Sequence, residues 1–116
     1  MPRLTAAPAR IGGRTRDGGW MVEGRLYRPA LLIGAGVIGS LPGLMLDDLA
    51  TLALPALPDA ELLLLGTGAA LARPPAGFVA AMAARGIRVE PMDSGAAART
   101  FNVLTAEARL VAALIL

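Results

Sequence analysis

The chain contains no cysteine, no histidine and no lysine, and only 3% of its 116 residues are aromatic. The absence of cysteine excludes a disulfide, a thiolate nucleophile and a CxxC redox site. The absence of histidine removes the usual general base near neutral pH, and the two absences together remove the preferred ligands of zinc. We therefore predict no metal site and no cofactor, and any catalysis would depend on carboxylates, hydroxyls or arginine.

Positive charge is carried by arginine alone and is thinly spread. Eleven arginines face nine acidic residues, which leaves a formal net charge of +2. The densest group is Arg10, Arg14 and Arg16, near the start of the chain. A nucleic-acid surface normally shows a denser basic stripe with interleaved aromatics. The sequence therefore indicates a partner other than nucleic acid.

One uncharged stretch, residues 29–46, is long enough to be a candidate membrane span. Four glycines and two prolines interrupt it, and only residues 30–33 are densely apolar. We predict a buried strand over residues 30–33, followed by a glycine-rich loop over residues 34–43, and no transmembrane segment. The first residues lack an apolar core of secretory-signal length, which favours a cytoplasmic location or a peripheral one at the inner membrane.

The first third of the chain predicts a flexible arm and a hairpin. Residues 1–10 are rich in alanine and proline, so we expect an arm there and one domain over residues 11–116. Gly24 separates two short β-prone runs within residues 20–28, which predicts a hairpin that adds antiparallel strands to a mixed sheet. Asp47 and Asp48 are placed to cap a short helix.

The second half alternates between strand and helix patterns. Residues 61–65 are Glu61 followed by an uninterrupted run of four leucines, which is typical of a strand covered on both faces. The next segment predicts a helix that begins near Pro74-Pro75, presents Phe78, Val79 and Met82 on one face, and ends at Gly86.

A second strand and helix follow, and a third strand comes last. Residues 87–90 predict the strand, and Asp93 or Ser94 is expected to cap a helix that runs to about Glu107. Residues 110–116 predict the last buried strand. The order strand, helix, strand, helix, strand implies parallel pairing with right-handed crossovers, and hence an α/β domain.

Several short motifs in this half resemble one known family. They are the Leu-Leu-Leu-Leu-Gly-Thr-Gly run of residues 62–68, Gly86-Ile87 with Val89-Glu90, Met92-Asp93 followed by Ala97, Arg99-Thr100 and Asn102-Val103-Leu104, and Glu107 with Arg109. The chain resembles the Mth938-like domain family over residues 11–116. Ser94 and Phe101 depart from the threonine and tyrosine that are common in the family.

The resemblance implies a single three-layer α/β domain. Its mixed sheet would have a parallel βαβαβ C-terminal half and an N-terminal β-hairpin. The family includes a mitochondrial respiratory complex I assembly factor and implies no catalytic residue. It therefore implies a protein-interaction or assembly role, with partners among the subunits of a membrane complex.

Two polar sets are candidate ligand sites. Gly66, Thr67 and Gly68 follow a buried strand, where α/β sheets often bind ligands, and are interpreted either as an anion cradle or as a tight turn. Position 71, where a GxGxxG motif needs its third glycine, is Leu71. The second set is Asp93, Arg99 and Asn102. Arg99 and Asn102 are one helical turn apart and could share a carboxylate or phosphate ligand, or Asp93 could cap the helix while Asn102 binds nearby backbone.

Three functions remain open at this point. The favoured one is a non-enzymatic interaction protein, with Trp20, Tyr27 and the loop 34–43 as candidate contacts. The alternative is a small-molecule or anion-binding protein with a pocket at the strand ends near Gly66 and Asp93. An enzyme would need that pocket and a carboxylate of raised pKa, for which Asp93 and Glu107 are the candidates, and is less favoured.

Overall fold

The computed structural model describes residues 9–34, 36–57 and 60–116. Residues 1–8 of the predicted arm lie outside the described residues, and Ala9 packs against the core. The described elements are β1 (Ile11–Arg14), β2 (Trp20–Val22), β3 (Arg25–Tyr27), β4 (Leu31–Gly34), β5 (Val37–Ser40), a 3-10 helix (Leu46–Ala50), β6 (Leu62–Gly66), α1 (Ala76–Ala84), β7 (Arg88–Met92), α2 (Ser94–Ala106) and β8 (Val111–Ile115).

The second half of the chain forms the centre of a five-stranded mixed sheet with the order β5-β4-β8-β6-β7. Strand β6 pairs in parallel with both β7 and β8, while β4 pairs antiparallel with β5 and β8. The predicted parallel βαβαβ unit is therefore confirmed. Its three strands end side by side, because Gly66 is in register with Met92 on one side and Ile115 on the other.

Two expectations about the first half are wrong. The predicted hairpin exists as β2 and β3, joined at Glu23 and Gly24, but with β1 it forms a separate three-stranded antiparallel sheet. The antiparallel strands of the mixed sheet are β4 and β5, and β5 lies inside the stretch predicted to be a glycine-rich loop. The hairpin does not join the larger sheet because it buries Trp20 and Val22 against a face of that sheet rather than pairing with its edge.

The five-stranded sheet is covered on both faces, which gives three layers. One face carries Leu64, Ala113 and other side chains that pack against α2 and the three-stranded sheet. The opposite face carries Leu63, Leu65 and others that pack against α1, the 3-10 helix and the segment around Leu57. Adjacent leucines of β6 thus enter different cores, as expected for a strand buried on both faces.

Helix α1 buries Phe78 and Met82, whereas Val79, which we predicted on the same face, is 37% exposed. Gly86 has a φ of 78°, and the Ile87 and Gly86 N–H groups donate to the Met82 and Ala83 carbonyls at 3.0 and 2.9 Å. These bonds form the predicted left-handed C-terminal cap.

The short helix after β5 is a 3-10 helix that begins at Leu46, so Asp47 and Asp48 lie in its first turn rather than before it. Asp48 accepts a hydrogen bond from the Met45 N–H at 2.8 Å, and Leu49 is buried. Among the described residues, no helix combines the length and apolar character that crossing a bilayer requires.

Candidate functional site

The predicted residues Gly66, Thr67, Gly68 and Asp93 meet at the carboxyl ends of β6 and β7, next to the end of β8. The Thr67 N–H donates to the Met92 carbonyl at 2.9 Å, and the Leu116 N–H donates to the Gly66 carbonyl at 3.0 Å. The three strand ends are therefore joined directly to one another. We call this edge of the sheet, residues 66–68, 92–94 and 115–116, the strand-end junction.

Ser94 is the centre of the strand-end junction and is fully buried. Its hydroxyl accepts from the Gly68 N–H at 2.8 Å and donates to the main-chain oxygen of Leu116 at 2.7 Å. Its own N–H donates to the Gly68 carbonyl at 2.8 Å. One side chain thus holds the loop after β6 and the end of β8 against the start of α2.

The sequence indicated Ser94 only as a possible helix cap. Asp93 supplies that cap, because its carboxylate accepts from the Ala96 N–H at 2.8 Å. No local signal marks Ser94 as a junction residue, since its hydroxyl bonds residues 26 and 22 positions away along the chain.

Gly66 has a steric role at the junction. A Cβ atom at this position would lie 2.9 Å from both Cα and Oγ of Ser94 and 3.0 Å from Cγ2 of Ile115. These distances leave no room for a side chain, so the close approach of β6 to α2 and β8 requires glycine. Gly68 has a φ of 108°, which a side chain would also disfavour.

Thr67 is bonded within its own loop. Its hydroxyl lies 2.8 Å from the Ala70 carbonyl and 3.2 Å from the Met92 carbonyl, and it accepts from the Ala72 N–H at 3.0 Å. Since the Thr67 and Gly68 N–H groups also have main-chain or side-chain acceptors, neither is free to bind an anion. The geometry favours the tight-turn interpretation of this segment.

Asn102 does not share a ligand position with Arg99. Its side-chain amide binds the backbone of Ile11 twice: the Ile11 N–H donates to Oδ1 and Nδ2 donates to the Ile11 carbonyl, each at 2.8 Å. Asn102 therefore ties β1 to α2. Arg99 is exposed, and its guanidinium lies beside Gly95: a Cβ atom added to Gly95 would be 3.3 Å from Nη1 of Arg99.

The candidate acids are far apart. Asp93 caps the start of α2, while Glu107 follows its last residue and is exposed. Fourteen residues of helix correspond to about 21 Å at 1.5 Å per residue. Glu107 is thus not near the strand ends, contrary to our expectation. The described residues contain no cluster of three or more acidic side chains suited to a metal ion.

One cavity of about 320 Å³ lies at the opposite ends of β6 and β7. It is lined by Glu61, Val79, Ala83, Gly86, Ile87, Arg88 and Val89. None of the predicted site residues contributes to it. The cavity is open to solvent at one side of α1, and Glu61 and Arg88 are its charged residues.

The three-stranded sheet carries a different kind of surface, which we call the basic sheet (β1 to β3 with the residues that flank them). It exposes five arginines, namely Arg10, Arg14, Arg16, Arg25 and Arg28. The side chain of Leu26 is 47% exposed. The Arg14 guanidinium lies 5.5 Å from the centre of the Trp20 ring, a cation–π distance.

The aromatic contacts that we predicted are less accessible. Trp20 is only 2% exposed and belongs to the core, and its buried Nε1 has no hydrogen-bond partner in the part of the chain that the structure describes. Tyr27 is partly buried against the same core. The predicted loop over residues 34–43 is the β4–β5 hairpin together with the residues after it.

A family model and a relative of known sequence each match most of the chain. Residues 13–116 match the model of a protein family of unknown function (DUF498/DUF598). An uncharacterized protein of Rhodobacter capsulatus is 39% identical over 99 residues, which are 85% of this chain and 77% of that protein.

Solved structures show the same fold. A Bartonella henselae protein described as an outer membrane protein has a TM-score of 0.78 at 29% identity, with 94% of each chain covered. A Bordetella parapertussis protein has a TM-score of 0.75 at 30% identity, over 97% of this chain and 98% of that one. A Mth938-like domain of Bordetella pertussis has a TM-score of 0.73 at 26% identity, and the match covers 100% of this chain and 90% of that one.

Proposed function

Because this chain belongs to the Mth938-like family, described as a family of unknown function (DUF498/DUF598), we propose a role for it from its own surfaces: it is a non-enzymatic interaction protein that binds an acidic partner protein through the basic sheet. The observation that carries the proposal is the uneven distribution of charge. Residues 1–34 hold six arginines and two acidic residues, a net +4, whereas residues 35–116 hold five arginines and seven acidic residues, a net −2.

Folding concentrates the positive charge. The five described arginines of the first segment are all exposed on or beside the three-stranded sheet, while the acidic residues of that segment are Asp17 and Glu23 alone. Arginine suits such a surface, because its guanidinium group pairs with carboxylates in a bidentate geometry and is enriched at protein interfaces. Leu26 adds an exposed apolar group among these charges.

The alternative, a small-molecule or anion site at Gly66–Gly68 and Asp93–Asn102, has less support. A ligand site needs free donors or acceptors aimed at one point. Here the Thr67 and Gly68 N–H groups, the Asp93 carboxylate and the Asn102 amide all bond other parts of the chain. Of the six predicted site residues, Arg99 alone is exposed. A single exposed cation does not distinguish one anionic ligand from another.

Two triple variants test the proposal. Arg16, Arg25 and Arg28 are replaced by alanine in the basic-sheet variant, and Arg88, Arg99 and Arg109 in the control variant. Both lose three exposed arginines and reach the same net charge, so a difference between them reports position rather than charge. Tagged wild-type protein and both variants are captured from cells of the source and analysed by mass spectrometry.

We expect the control variant to recover the same partners as the wild type and the basic-sheet variant to lose most of them. Equal recovery by both variants would refute binding through the basic sheet. Absence of any partner specific to the wild type would refute the interaction role itself.

The family resemblance supports a finer version of the proposal, in which the partner is a subunit of a membrane complex that the protein helps to assemble. The same capture experiment distinguishes this version. Subunits of one membrane complex among the partners that depend on the basic sheet would support it, and an unrelated set of partners would exclude it.

A further inference from the structure

The two edges of the five-stranded sheet differ in how they resist pairing with another strand. Strand β7 forms one edge and carries two exposed charged residues, Arg88 and Glu90. Arg88 donates its N–H to Glu61, and Met92 accepts from Thr67, so alternation directs the backbone groups of Val89 and Pro91 outward. Proline has no N–H to donate, and edge charges and prolines are common protections against strand addition.

Strand β5, at the other edge, has neither protection. It consists of Val37, Ile38, Gly39 and Ser40, without charge or proline, and Ile38 is 44% exposed. An uncharged, apolar edge with unpaired backbone groups is a template for another strand. The difference between the two edges is what points to β5 as a binding element.

The hydrogen-bond pattern shows which groups β5 offers. Ala30 and Leu41 exchange two backbone hydrogen bonds, of 2.9 and 2.7 Å, just beyond the β4–β5 ladder. In an antiparallel ladder, pairs that exchange bonds alternate with pairs that do not. In the observed register Leu31 faces Ser40 and Ile33 faces Ile38, so these are the pairs without mutual bonds. The N–H and C=O groups of Ile38 and Ser40 therefore point away from β4.

We propose that β5 pairs antiparallel with β5 of a second copy of this chain. With Ile38 opposite Ser40 of the second copy, and the reverse by symmetry, the outward groups make four hydrogen bonds. The two-fold axis then passes between the two Gly39 residues, which face each other as a pair without hydrogen bonds, where Cα atoms approach to about 4.5 Å. A Cβ at Gly39 would meet nothing within 4 Å in the single chain, so the sheet face to which that Cβ would point is open at the axis.

Charge argues for a second copy rather than a charged partner at this edge. Two uncharged β5 strands meet without like-charge repulsion, whereas two basic sheets would repel each other. The pairing is also self-complementary, as a two-fold interface requires. It would join two five-stranded sheets into one continuous sheet, and the pairing strands contain none of the basic-sheet arginines.

Sedimentation of the purified full chain over a range of concentrations tests this inference. We expect a reversible dimer in the wild type. Ile38→Lys should weaken dimerisation by about tenfold or more, because lysine at an edge strand opposes strand addition. Leu26→Lys is the matched control: Leu26 is 47% exposed and also lies on an edge strand, but in the three-stranded sheet. Thermal melts of both variants verify that they fold.

Amide hydrogen exchange of the wild type provides a second measurement that needs no variant. The Ile38 and Ser40 amides should exchange more slowly as the protein concentration rises, while the Val89 amide at the other edge should not change. A monomer at every concentration, a dimer insensitive to Ile38→Lys, or unchanged Ile38 and Ser40 exchange would each overturn the proposal. These outcomes leave the binding role of the basic sheet untouched, since the arginine variants test it separately.

Discussion

Ser94 contributes to stability through one buried hydroxyl that serves two main-chain groups. The Gly68 N–H and the Leu116 main-chain oxygen have this hydroxyl as a shared partner at 2.8 and 2.7 Å. When a buried polar group loses its hydrogen-bond partner, folding still removes that group from water, and no hydrogen bond in the folded state compensates for the loss. The polar residues that first suggested a ligand site thus explain how three strand ends and a helix are held together.

We expect Ser94→Ala to lower the free energy of unfolding by about 2 kcal/mol, since it removes the hydrogen bonds to both main-chain groups. Thr100→Ala in the same helix is the control. Thr100 is half-buried and makes no side-chain hydrogen bond within the described residues, so its variant should stay within about 0.5 kcal/mol of the wild type. Chemical denaturation measures both. A Ser94 variant as stable as the Thr100 variant would contradict the role assigned to the junction.

At the scale of elements, the two helices end in the same motif with different residues. Gly86 closes α1 with a φ of 78°, and Ala108 occupies the corresponding position after α2 with a φ of 60°. The Arg109 N–H donates to Leu104 at 2.9 Å, and the Ala108 N–H donates to Thr105 at 3.0 Å, which repeats the bonding of the first cap. Alanine is strained in this conformation, whereas glycine is not.

Ala108→Gly should therefore raise the free energy of unfolding by about 0.5–1 kcal/mol, the relief of strain being partly offset by the greater freedom of glycine in the unfolded chain. Ala106→Gly, in the last turn of α2, should lower it by about 0.5–1 kcal/mol, because glycine is unfavourable within a helix. Thermal melts should move in opposite directions for these two variants. A decrease for Ala108→Gly would mean that the left-handed conformation is not maintained in solution.

Across the molecule, the excess positive charge and the most apolar strands lie in different sheets. The three-stranded sheet holds the excess of arginine, and the five-stranded sheet holds the apolar run of β6 and the buried strand β8. The two sheets are joined through the core around α2 and through the double hydrogen bond of Asn102 to Ile11. A positively charged face on one side of the domain is suited to attract an acidic partner at a distance.

Salt should therefore reduce partner recovery by the wild type. Raising the salt concentration from 0.1 M to 1 M shortens the Debye length from roughly 10 Å to about 3 Å. The stronger screening weakens exposed arginine–carboxylate pairs. We expect recovery by the wild type and by the Arg88, Arg99 and Arg109 variant to fall in parallel as salt is raised. Recovery by the Arg16, Arg25 and Arg28 variant should be low throughout. Binding that does not respond to salt would point to a mainly apolar contact instead.

The elements of the second half could be predicted from the sequence because each has a local cause. The leucines of β6 predict a doubly covered strand, Gly86 predicts the end of α1, and a cap at Asp93 or Ser94 predicts the start of α2. The structure has all three, with Asp93 as the cap. Strand β5 was missed, because Gly36 and Gly39 suggested a loop, whereas Gly36 forms part of the hairpin turn and Gly39 lies within the strand.

The order of strands and helices in the second half, and the family, can be read from the chain alone, because apolar runs, caps and short motifs act over a few neighbouring residues. Long-range packing, by contrast, makes β1 to β3 a separate sheet and brings Ser94 and Asn102 to residues 22 to 91 positions away. It likewise decides that β5 and β7 form the edges of the larger sheet. Such relations depend on how distant segments pack, and the free energy that selects them comes from burying side chains and backbone groups that are not neighbours in the chain.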